Sequence, residues 1–232
     1  MKSKTKRLVI AFTILLGVIG ETAGPLASTA SAATPVVEVQ TFGAAYGEWS
    51  ARWWQWALSI PAAVNPILDK TGANCAQGQE DDVWFLAGAF GGTVPTTRTC
   101  TIPAAKPIFF PLINNVAFKP AGSETLLDLR HLAAMFINTV SELRCTIDGA
   151  PCDQNLFGFR VRSPSFSVIA PTQGLVPPGR LSGPGNTDSI VSDGYWLLIK
   201  PLPAGQHTIA FHAKTVTGVE VQNVTYHLTI TP

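Results

Sequence analysis

Charge is scarce in this chain. Asp, Glu, Lys and Arg make up only 13% of its 232 residues, and no basic run occurs after the first seven. Phosphate backbones are held by clustered Lys and Arg, so nucleic acid is not an expected partner. Catalytic signatures are also missing. The sequence holds no G-x-S-x-G nucleophile elbow, no H-E-x-x-H, no Gly-rich phosphate loop and no EF-hand pattern. Neither C-x-x-C nor a Cys/His cluster is present, so no metal site and no cofactor are expected. No internal repeat is found. After the N-terminal segment, no apolar stretch is long and uninterrupted enough to cross a membrane.

The N-terminal segment itself has a plain pattern. Lys2, Lys4, Lys6 and Arg7 precede an apolar run from Leu8 to Ile19, and Ala30-Ser31-Ala32 forms a small-x-small cleavage signature. This predicts a secretory signal peptide over 1–32 and a single secreted domain over 33–232. Sixteen basic residues less those four leave 12, and fifteen acidic residues less Glu21 leave 14, so the mature chain is near −2. The expected location is extracytoplasmic.

All four cysteines, Cys75, Cys100, Cys145 and Cys152, follow the leader. An even count in an exported chain predicts two disulfides. In "CTIDGAPC", Asp148-Gly149 is a two-residue hairpin signal. It sets Ile147 opposite Ala150, Thr146 opposite Pro151 and Cys145 opposite Cys152. Opposed Cα atoms lie about 4.5–5.5 Å apart, within reach of a disulfide. The cysteines then occupy a hydrogen-bonded pair, the wider of the two kinds of site. Cys75 with Cys100 is left by exclusion.

With 18 prolines and 20 glycines, the chain reads as β-rich with many turns. Strands are expected over 83–90, 97–102, 107–113, 143–147, 157–161, 165–169, 194–199, 208–213 and 219–230. The expected fold is mainly β, an antiparallel β-sandwich or jelly-roll-like domain with two packed α-helices. Near the C-terminus, His207, Ile209, Phe211 and Ala213 share one face, and Val224, Tyr226, Leu228 and Ile230 share another. "IPAAKP" and "PLPAGQ" read as tight connections, and 171–193 reads as a long Gly/Pro/Ser/Asn loop. One helix is expected over 125–139, opened by a capping box of Thr125 and Asp128.

The other helix carries four of the six tryptophans, in "YGEWSARWWQWALSIP". At about 100° per residue, Phe42, Tyr46, Trp49, Trp53, Trp56 and Ile60 form one narrow stripe. Glu48, Arg52, Gln55 and Ser59 lie on another face, with Glu48 and Arg52 spaced as a helical ion pair. Pro61 ends the helix. The stripe suits a helix docked on the sandwich. Trp54 falls roughly 80° outside it and is the single candidate for a ligand-facing ring on this helix.

The leading functional expectation is a non-catalytic extracellular or envelope-associated protein that binds glycan or another polymer. Trp54, Tyr195 and Trp196 are its candidate ligand-binding residues, and stacking on a sugar needs at least one of these rings exposed. One alternative is a secreted hydrolase. It would need a pocket joining two or more of Glu48, Arg52, His131, Asp193, His207 and His227. Glu48, Asp128, Glu142 and Asp193 are carboxylates of a type suited to glycoside hydrolysis. Another alternative is a structural protein of the cell or spore surface, which would self-associate. Glu80, Asp81 and Asp82 form an acidic cluster that reads as solvated loop rather than a calcium site.

Four stretches, "YGEWSARWWQWALSIP", "IPAAKPIFFPLIN", "IDGAP…RVRSPSFSV" and "SDGYWLLIKPLPAGQHTIAF", together resemble a family of uncharacterised secreted bacterial proteins. The resemblance covers most of the mature chain. It implies a signal peptide and a β-rich extracytoplasmic domain, and it brings no activity or functional residue with it. "PLPAGQHTI" also resembles a strand-turn-strand of extracellular Ig-like and jelly-roll modules, which bears on architecture alone.

Overall fold

The computed structural model describes residues 45–80, 82–90, 95–118, 125–176 and 190–232. The leader, Phe42, Asp81 of the acidic cluster and most of the expected long loop (177–189) lie outside the described residues.

Two mixed sheets form a β-sandwich. The first is four-stranded, in the order β1 (Trp84–Phe85), β3 (Ile108–Phe118), β7 (Ile190–Ile199), β6 (Arg160–Arg162). The second is five-stranded, in the order β2 (Thr96–Pro103), β9 (Glu220–Thr231), β8 (Gly205–Thr215), β4 (Val140–Ile147), β5 (Ala150–Pro151). Most neighbours run antiparallel. Two pairs, β1 with β3 and β2 with β9, run parallel. The "IPAAKP" and "PLPAGQ" connections each carry the chain from one sheet to the other: β2 to β3, and β7 to β8.

Alternation places the cores. Phe110, Leu112, Tyr195, Leu197 and Ile199 meet Ile209, Phe211, Val224, Tyr226 and Leu228 between the sheets. The opposite side of the first sheet, with Phe85, Phe109, Trp196 and Leu198, is covered by helix α1 (Tyr46–Ser59). Strand β7 is therefore buried on both faces along its whole length. Helix α2 (Leu126–Ile137) packs through Leu129 and Ala133 on Ala117 and Val191, at the end of the β3–β7 ladder. Thr125 and Asp128 form the expected capping box.

Both disulfides are present, Cys145–Cys152 with Cα atoms 5.3 Å apart and Cys75–Cys100 with 5.8 Å. The hairpin register is the one read from the sequence, Thr146 facing Pro151 and Ile147 facing Ala150. Asp148 and Gly149 have φ +52° and +82°, the left-handed pair that a two-residue type I′ turn requires. Cys152 N–H donates to the Cys145 carbonyl at 2.9 Å, so the cysteines do occupy a hydrogen-bonded pair.

Among the described residues, no helix is long and apolar enough to cross a membrane.

Candidate binding cleft

The stripe of α1 is buried as its periodicity requires: Tyr46, Trp49, Trp53, Trp56 and Ile60 all lie in the core. Trp53 Nε1–H donates to the Leu86 carbonyl at 2.9 Å and Trp56 Nε1–H to the Gln77 carbonyl at 2.8 Å. Arg52 makes no ion pair with Glu48. Its guanidinium lies 4.6 Å from the centre of the Trp49 ring.

None of the three candidate stacking rings offers a face to solvent. Trp54 is 8% exposed, Tyr195 6% and Trp196 0%. Trp196 stacks on Phe109 with ring centres 5.2 Å apart, because β7 is covered by α1 on that side. Tyr195 points between the sheets, where Phe157 meets it edge-on. Trp54 packs edge-on against Trp53. The expectation of surface stacking on these residues is corrected accordingly. Trp54 nonetheless forms part of the wall of a cleft.

That cleft, of about 510 Å³, opens where β1 leaves the edge of β3. The two strands pair over only two residues. Leu86 N–H still reaches the Phe109 carbonyl, and the chain then turns away toward β9. Ala87 exchanges hydrogen bonds with the Tyr226 hydroxyl, accepting at 2.9 Å and donating at 3.2 Å. Ala89 N–H donates to Gln222 Oε1 at 2.8 Å. Between this departing segment and the edge of β3 lie Trp54, Phe90, Val116, Phe118, Phe136 and Gln222, among others.

Arg98 anchors the departure. It is 2% exposed and projects from β2 into the core. Its guanidinium donates to the carbonyls of Ile67, Asp69, Ala87 and Gly88 and to the Tyr226 hydroxyl, at 2.7–3.1 Å. No carboxylate side chain pairs with it among the described residues. Burial pushes the Tyr226 hydroxyl up in pKa, and the charge and hydrogen bond of Arg98 only partly oppose this.

The residues of the hydrolase alternative are not brought together. Asp193 is buried under two arginines, with Arg160 bidentate at 2.9 Å and Arg162 at 3.3 Å. Its hydrogen bonds and charge hold Arg160 above its ordinary pKa despite partial burial. His207 binds Asp148 at 2.7 Å and the Pro203 carbonyl at 2.9 Å. Glu48, Arg52, His131 and His227 are exposed. Asp128 closes the α2 cap, and Glu142 pairs with Arg144. No hydrogen bond or ion pair joins any two of the six among the described residues.

A second, more polar groove of about 600 Å³ runs along Arg52, Gln55 and Ser59 of α1, facing Glu80 and Ser167. Its polar groups are largely engaged: Gln55 donates to the Ser167 carbonyl and Ser59 to the Trp56 carbonyl. The first cleft differs in keeping unpartnered donors in its walls.

Arg98, Asn114 and Gln222 escaped the sequence reading. Arg98 has the parity of Cys100 and Ile102, and Gln222 the parity of Val224 and Tyr226. A polar residue in register with a core face was the signal available.

No protein-family model and no curated protein matches the chain. A solved structure, the cysteine protease inhibitor EhICP2 from Entamoeba histolytica, is similar over 58% of this chain and 86% of its own, at 11% identity and a TM-score of 0.24. A likeness that weak carries no inference about this chain.

Proposed function

We propose that this is an exported, non-catalytic binding protein that takes a small, predominantly apolar ligand in the cleft between the segment that follows β1 and the edge of β3. The cleft carries the reading. Its volume, about 510 Å³, is that of a small-molecule site, and its lining is aromatic and aliphatic with a few polar groups. Two disulfides suit an oxidising compartment, in keeping with the leader pattern and with the resemblance to secreted bacterial proteins. Burial of Trp54, Tyr195 and Trp196 turns the reading away from a sugar laid on a surface ring. A glycan or polymer ligand would have to place an apolar end or substituent inside the cleft.

The test is a titration with N-phenyl-1-naphthylamine, a neutral apolar dye whose emission rises when it leaves water. Saturable binding of one dye per chain is expected. Val116→Trp, which fills the half-buried cleft wall, should weaken it at least tenfold. No saturable binding, or binding indifferent to the Trp, would refute the reading.

A further inference from the structure

The polar atoms of the cleft walls are unevenly matched. Gln222 is 2% exposed, and its Oε1 is held by Ala89 N–H, which fixes the amide with Nε2 on its free side. Nε2 makes no hydrogen bond among the described residues. Trp54 Nε1 and Asn114 Nδ2, in the same lining, are buried donors without acceptors among the described residues. Gly88 leaves room for the Gln222 amide: a Cβ there would fall 2.3 Å from Nε2. Its backbone needs no left-handed conformation, so the close approach alone calls for glycine.

Among the described residues, three N–H donors without acceptors thus occur in one largely apolar lining, and the described lining residues include no Lys, Arg or His. Among the described lining residues the one ionisable group is Glu220, whose carboxylate is engaged by His212 at 2.7 Å and Asn223 at 2.9 Å. Orphaned donors favour an acceptor. Glu220, with no cation among the described lining residues, disfavours an anion, although His212 and Lys214 lie near it outside the lining.

Resting on the binding role proposed above, we infer that the cleft selects a neutral apolar molecule carrying a carbonyl oxygen, such as an ester or ketone, and that Gln222 Nε2 donates to that oxygen. An alkane of equal length lacks the acceptor. The matching carboxylate has acceptors but brings a second negative charge beside Glu220. One hydrogen bond to a preorganised donor is worth about tenfold in affinity.

The experiment is displacement of N-phenyl-1-naphthylamine from the full chain at pH 7.5 by methyl decanoate, dodecane and decanoate. Methyl decanoate should displace the dye about tenfold more tightly than either of the others. In Gln222→Leu, which keeps the bulk and removes the donor, ester and alkane should bind alike, each compared with the dye on the same variant. Gly88→Ala, which pushes the amide aside, provides a second route to the same loss should the Leu variant not fold. Dye binding without ester preference overturns the carbonyl inference and leaves the binding role standing. An ester preference that survives both variants, or decanoate binding as tightly as the ester, also overturns it. Absence of dye binding removes the binding role itself.

Discussion

Arg98 is a buried guanidinium whose charge is met by carbonyl dipoles and one hydroxyl instead of a carboxylate. The carbonyls of Ile67, Asp69 and Gly88 would lose this donor together if the side chain went, while Ala87 would keep the Tyr226 hydroxyl. Arg98→Met keeps the stem and removes five donors' worth of contacts, so a loss of about 3–5 kcal/mol is expected, the range for breaking a buried charged network. Urea unfolding of the two proteins measures it. Arg98→Lys should fare little better, since one ammonium cannot span acceptors on Ile67, Asp69, Ala87 and Gly88. A loss under 1 kcal/mol for Met would mean that the carbonyls find water, and that Arg98 does not set the path of the chain past β1. Nothing in the sequence around Arg98 advertises this role. "TTRTCTI" reads as an ordinary alternating strand, and only the parity of Arg98 with Cys100 and Ile102 places it inward.

At the scale of elements, the parts set by local rules were legible. Helix α1 follows from its stripe, α2 from its capping box, and the 148–149 hairpin from its Asp-Gly pair. The parts set by distant partners were not. The stretch 83–90 is an apolar run of strand length, yet only Trp84–Phe85 joins a ladder. Beyond it, side chains of Arg98, Gln222 and Tyr226 take the backbone groups that a neighbouring strand would have taken. Likewise 165–169 contributes a single bridge, Phe166 to Ile190, and 157–161 divides into a 3-10 turn and a short strand. The cleft exists because β1 stops early, so its lining could not be assembled from periodicity. One local feature works against its own geometry. Ala105, in the β2–β3 crossing, has φ +66°, a conformation that costs a residue with a Cβ roughly 1 kcal/mol. Ala105→Gly relieves this at some cost in unfolded-state entropy, and should raise stability by about 0.5 kcal/mol. A destabilised variant in thermal unfolding would show that the Ala side chain contributes packing at this turn.

For the whole molecule, protonation ties a hairpin of the second sheet to a crossing between the two sheets. His207 opens onto Asp148 in the 148–149 turn through Nδ1 and onto the Pro203 carbonyl in the β7–β8 crossing through Nε2. Both partners are acceptors, so both ring nitrogens donate only when the imidazole is protonated. Partial burial lowers the His207 pKa, but the Asp148 hydrogen bond, the Pro203 carbonyl and the Asp148 charge together carry it above its ordinary 6.5. A raised folded-state pKa means stability that is complete below 6.5 and lost as pH rises through the folded value. Carboxylates act in the opposite sense. Asp148 is partly buried, which raises its pKa, yet bonds from His207 and Thr208 hold it below 3.8, and Glu220 is held below 4.5 by Asn223 and His212. Their contributions are present above those ordinary values and are lost as pH falls through the folded ones. Stability should therefore be greatest between roughly pH 4.5 and 6.5. Unfolding by urea at pH 5.5 and at pH 8.5 should give a higher midpoint at the lower pH. His207→Gln retains a donor for Asp148 without the charge and should flatten that difference while leaving the acid limb in place. If the variant shows the same decline toward pH 8.5 as the parent, the decline belongs to other groups and the link between the hairpin and the β7–β8 crossing is not a protonation switch.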